Sequence, residues 1–149
     1  MKALTVKQPW ASLIVSGVKY LENRDWPTHY RGLIAIHSSR RLAREDLEEA
    51  CGLIRSFVPG FRADLFRQCR FPTGMILGTV KLVDCVATCE SPWFQGTYGF
   101  VLKNAVAFPC PVVCRGELGF WEVPAYLLPR LREEYRVARS EPYSSACLS

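Results

Sequence analysis

The chain has 149 residues, 49% of them hydrophobic and 22% charged, with a net charge of +5. That suits one domain with a real core and excludes a disordered chain. The charge leans toward polyanionic partners, and no apolar run reaches the ~18 residues of a membrane span.

In chain order, Ala3 to Val6 reads as a first strand. Pro9 suits the first position of a helix on which Trp10, Leu13 and Ile14 share one face, and Trp10 is expected in the core. Gly17 is placed to stop that helix in a left-handed conformation. Tyr20 to Arg24 alternates as a strand with Tyr20, Glu22 and Arg24 on one face, and Lys19 stands at the corner before it. Gly32 to His37 is a short buried strand. Leu42 to Val58 is the longest helix, with Leu47, Ala50, Cys51, Ile54 and Phe57 as its apolar stripe and Pro59-Gly60 as its stop. Phe61 to Cys69 is a further helical turn or two. Gly74 to Ala87 is a long strand, and Tyr98 to Leu102 is another that closes at a Lys103-Asn104 turn. Val112-Val113 and Leu118 to Val123 complete the strands. Leu127 to Ala138 is a terminal helix, and the polar tail from Ser140 is expected to fray. Residues 1–139 form one domain and 140–149 a tail. Strands from both ends with helices between them predict an α+β fold: a small closed β-barrel decorated on one side.

The seven cysteines, with no signal-peptide pattern before them, predict a reduced, cytoplasmic setting. Cys85-x-x-x-Cys89 and Cys110-x-x-x-Cys114 lack the usual zinc spacing, so buried thiols, no metal and no cofactor are expected. Cys147 stands third from the end, where a prenylation box needs the fourth position. A nucleophile elbow, a phosphate-binding loop and a dinucleotide fingerprint are all missing from the sequence.

The densest chemistry is Lys19, Glu22 and Arg24. One reading is a pocket floor that engages a base, nucleoside or phosphate; the other is a structural ion cluster fixing the strand beside the helix. Trp26, Tyr98 and Trp121 are candidate stacking surfaces for unpaired bases, and at least one of the two tryptophans is expected to be reachable from the cleft. Arg31 and Arg115, beside Gly32 and Gly116, are candidate phosphate contacts; Arg40, Arg41 and Arg44 suit phosphate or plain solvation equally. His37 reads as a general acid or base, or as a satisfied core histidine, and His29 as an exposed turn residue. The head of Lys19 is expected to reach the cleft and solvent, so that its removal spares the fold.

Several segments carry a resemblance. They are Gln8-Pro9-Trp10-Ala11-Ser12, Gly17-x-Lys19-x-x-Glu22-x-Arg24, Asn23-Arg24-Asp25-Trp26, Tyr30-Arg31-Gly32, Gly74 to Gly78, Tyr98 to Leu102, and Arg115-Gly116-x-Leu118-Gly119-Phe120-Trp121. In this order, over roughly residues 3 to 124, the chain resembles ASCH domains of the PUA-like superfamily. The resemblance implies a PUA-like barrel with helices around a cleft lined by the Lys19–Arg24 motif. It also implies RNA or modified-nucleoside recognition, with Lys19, Glu22, Arg24, Trp26, Arg31, His37, Tyr98, Arg115 and Trp121 as candidate contacts. The alternative is a metal-free hydrolase, a ribonuclease or an amidohydrolase of an acylated nucleoside, built on Lys19 and Glu22. In the amidohydrolase pattern a threonine nucleophile stands where this chain has Glu22, which leaves Glu22 the part of a general base.

Overall fold

Residues 1–140 are described by the computed structural model. Strand β1 (Lys2–Gln8) leads directly into helix α1 (Trp10–Val15). The buried Gln8 side chain caps that helix, its Oε1 accepting from the Ser12 N–H at 3.0 Å. Gly17, at φ +83°, then turns the chain as expected toward β2 (Leu21–Arg24). There follow β3 (Gly32–Leu42), α2 (Arg44–Phe57), α3 (Ala63–Arg67), β4 (Met75–Val86), β5 (Tyr98–Val113), β6 (Phe120–Glu122) and α4 (Leu128–Ser140). β3 runs on past the predicted end at His37, because it still pairs with β4 at Ser38–Met75 and with β1 as far as Leu42–Gln8.

The strands form one six-stranded sheet in the order β2-β5-β4-β3-β1-β6, parallel only between β1 and β3. The α+β class is as expected. The closed barrel is corrected: the sheet curls but its edges do not pair. Aromatic rings fill the space where they approach. Phe100 of β5 stacks on Phe120 of β6 at 6.0 Å, and Trp26 stands edge-on to both at 5.2 and 5.4 Å.

The predicted turn at Lys103-Asn104 is also corrected, since β5 passes straight through it. Asn104 takes φ +54° at a bulge, and a larger shift lies between the Ile76–Val112 and Gly78–Ala107 pairs. Pro109 and Pro111 fall in that shift, where no ladder donor is needed. The Cys110 N–H freed there is accepted by buried Glu134 of α4 at 2.9 Å.

The concave face holds one core, formed by Leu4, Val6, Ile34, Ile36, Val80, Leu82 and Phe100 with Ile14 of α1. The convex face packs Ala35, Ile76, Phe108 and Trp121 under Leu131 of α4. A third cluster joins Leu13 and Leu21 to α2 and α3 through Trp93. The cysteines do not share one environment. Cys51 and Cys114 are buried, and burial pushes both thiols up, but Cys89 and Cys110 are exposed because they sit on a loop and on the bulge. Cys147, the prenylation reading and the expected fraying of the tail lie outside the described residues. Among those residues no helix is long and apolar enough to cross a membrane.

Candidate functional site

β6 is only three residues long and pairs with Lys2, Ala3 and Leu4. Beyond Leu4 the outer side of β1 is therefore unpaired, and β2, the other edge of the sheet, curls round to face it. The two strands meet through a side chain: Arg24 Nη2 donates to the Thr5 carbonyl at 2.7 Å. Above this contact opens a groove of about 720 Å³. Thr5, Val6 and Lys7 form one wall and Glu22 to Asp25 the other. Trp10, Ser39, Arg41, the Gly96-Thr97 loop and the Glu117–Gly119 loop complete it. A smaller hollow of about 280 Å³ adjoins it, lined by Lys19, Asp46, Glu49 and Trp93 among others. Lys7, Trp10, Glu22 and Asn23 line both.

Glu22 is the centre of this region. It is 7% exposed, yet its side chain lines both hollows. Its Oε1 accepts the Asn23 N–H at 2.9 Å and lies 3.4 Å from Lys19 Nζ. Its Oε2 lies 3.5 Å from Arg24 Nη2. A carboxylate between two cations is thus presented to an open groove, with hydrogen-bonding capacity left on one oxygen.

Lys19 departs from expectation. It is 3% exposed. Its N–H bonds back to the Leu13 carbonyl at 3.0 Å, which pins the corner to the helix end and turns the stem inward. Its ammonium donates to the Leu21 carbonyl, faces Glu22, and lies 5.8 Å from the Trp10 ring centroid. Trp10, expected in the core, meets that expectation in part: it packs against two core clusters but is half-buried and also walls both hollows, its Nε1 donating to Asp46 Oδ1 at 3.4 Å.

Of the other candidate residues, Arg24 and Arg41 line the groove. Trp26 and Trp121 do not: Trp26 packs on the concave core against Phe100 and Phe120, and Trp121 is buried on the convex face under α4. Tyr98 pairs with Arg24 in the sheet, and it is Thr97 before it that lines the groove. Arg31 lies on the surface, donating to the Thr28 and Tyr30 carbonyls and facing Asp84 at 3.6 Å. Arg115 is exposed and is not part of the lining.

His37 is 2% exposed in a closed network. Its Nε2 lies 2.7 Å from the Cys114 carbonyl, which can only accept, so Nε2 carries the proton. Nδ1 then accepts from the Thr5 hydroxyl at 3.2 Å, and that oxygen accepts from Trp121 Nε1 at 3.1 Å. Burial pushes the imidazole below its ordinary value; the Cys114 hydrogen bond opposes this and the Arg40 charge adds to it. Gly116 closes the network. A Cβ there would stand 2.5 Å from the His37 ring, so the glycine serves protein packing and not ligand approach.

Several groove residues escaped the sequence reading: Lys7, Asn23, Ser39, Thr97 and Leu118. Asn23 had a signal, since it lies inside the charged motif. It positions a wall of the groove by donating to the Trp93 carbonyl at 2.8 Å and accepting the Gln95 N–H at 2.9 Å.

The ASCH domain family profile matches residues 4–104, a span that begins within β1 and includes β2 and the Glu22 cluster. The chain belongs to the ASCH domain family. This family is associated with RNA binding. The ASCH chain is 35% identical over 132 residues to human activating signal cointegrator 1, covering 80% of this chain and 22% of that protein. The mouse protein of the same name is 30% identical over the same length. The chain thus spans about a fifth of the length of these curated relatives. A crystal structure of ASCH from Zymomonas mobilis superposes with a TM-score of 0.53 at 14% identity, covering 89% of this chain and 93% of that one. At that identity the likeness concerns the fold alone.

Proposed function

We propose that this ASCH domain binds an unpaired nucleotide of RNA, or a modified nucleoside, in the seam groove. The observation that carries the reading is Glu22: a nearly buried carboxylate, oriented by Lys19 and the Asn23 N–H, in the lining of a groove of about 720 Å³. A hollow of that size suits a small organic ligand. A carboxylate accepts from amino groups on a base, such as cytosine N4 or guanine N2. The Trp10 indole in the same wall supplies a stacking face. The lining cations Lys7, Arg24 and Arg41 are matched by the anions Glu22, Asp25 and Glu117. That balance favours one nucleotide unit over a long polyanionic track.

Titration of the protein with cytidine and guanosine monophosphates, uridine monophosphate and short single-stranded RNA tests this. Binding is expected to favour cytidine and guanosine over uridine. Glu22→Gln should weaken it about tenfold or more, the worth of a lost base contact. Two phosphate contacts, from Lys7 and Arg41, give a log–log salt slope of about −1.4. No binding to any probe, or equal binding by the Gln variant, overturns the reading.

One observation favours a second reading, hydrolysis with Glu22 as general base: its carboxylate reaches both Lys19 and the open groove. His37, held in its own network, is not available as the acid. Mass spectrometry of the same mixtures, with an acylated cytidine added, decides, since turnover yields a shortened RNA or a deacylated nucleoside.

A further inference from the structure

Leu118 is 98% exposed, the most exposed of the large apolar side chains among the described residues. It is not on a remote surface. It lines the seam groove together with Glu22 and Trp10. The segment that carries it is fixed at both ends. Gly116 is wedged against His37 and Thr5, and Gly119, at φ +64°, delivers the chain into β6. Between these glycines, Glu117 and Leu118 project as a short tongue, both exposed.

A leucine in this position adds nothing to the core of the free protein. Its transfer from water becomes favourable only when something enters the groove and covers it. We propose that Leu118 is a ligand-contacting residue, the apolar cover that packs on the face of the bound nucleobase while Glu22 reads its polar edge. The inference rests on the nucleotide-binding reading of the groove. It adds a contact that neither the charged motif nor the aromatic positions supply. Because the side chain is spent on nothing else, its whole contribution appears in affinity. Because it is uncharged, it contributes nothing to the salt dependence.

The test compares the intact chain with Leu118→Ala, using cytidine and guanosine monophosphates as probes. The variant should melt at the wild-type temperature, bind about tenfold more weakly, and keep the wild-type salt slope. Hydrogen exchange at residues 117–119 should slow when the probe binds to the wild type. Wild-type binding with an unchanged affinity in the variant overturns the role of Leu118 and leaves the groove reading standing. A wild type that binds no nucleotide overturns both. A variant that loses self-association in sedimentation but keeps its nucleotide affinity also overturns the proposal, and assigns Leu118 to a contact between copies of the chain.

Discussion

Thr5 belongs to two polar clusters. Its hydroxyl joins His37 and Trp121 on the convex side of the sheet, and its carbonyl receives Arg24 at the floor of the seam groove. In the first cluster every capacity is used. Both His37 nitrogens, the Trp121 N–H and the Thr5 hydroxyl each have a partner inside the protein. In the second, Glu22 Oε2 has only a 3.5 Å ion pair. Both clusters are buried and polar, so burial does not separate structure from site. Unused hydrogen-bonding capacity facing an open volume does.

The sealed cluster should fail by unfolding. Trp121→Ala removes a 5% exposed indole from the convex core and is expected to cost about 3–5 kcal/mol in urea denaturation. A loss below about 1 kcal/mol would show that the network is ornamental, and the contrast with the groove would collapse.

Lys19 stands at the junction and tests both sides at once. Lys19→Ala leaves Glu22 nearly buried with Arg24 as its remaining cation and empties the space under Trp10. A loss of about 2–3 kcal/mol is expected, alongside weaker nucleotide binding. Lys19→Met restores the stem and not the charge. It should recover part of the stability and none of the binding. Full recovery of both would make Lys19 a packing residue.

The smallest effect is a pH dependence that belongs to the sealed cluster alone. The folded pKa of His37 lies below its ordinary 6.5, so the unfolded chain takes up the proton first. Stability is full above pH ~6.5 and falls as pH drops through the folded value, by at most ~1.4 kcal/mol per pH unit. His37→Gln should flatten that window in denaturation measured as a function of pH. A wild-type curve already flat there would mean the imidazole is not held neutral.

The local elements were legible because their signals are local. Gly17 stops α1, the alternation of Glu22 and Arg24 marks β2, and the apolar stripe through Ala50, Cys51 and Ile54 marks α2. The family was legible for the same reason, since its motif is one short run. What stayed hidden depends on residues far apart. Lys103-Asn104 read as a turn, and only the pairing of β5 with β4 turns it into a bulge within one strand. Trp26 could not be placed without the curl that brings Phe100 to Phe120, nor Trp121 without the packing of α4 on the convex face. Lys7, Ser39 and Leu118 meet Glu22 only because a three-residue β6 leaves the seam open.

Asn23 holds the far wall of that seam by acting as a counterfeit peptide group. Its side-chain amide offers one donor to Trp93 and one acceptor to Gln95, the two valences a neighbouring strand would have supplied. A loop too irregular to join the sheet is thus bonded to its edge as though it were another strand. Aspartate at this position would lack the donor and glutamine would overshoot by a methylene, so the shape of the groove hangs on a single amide of the right length.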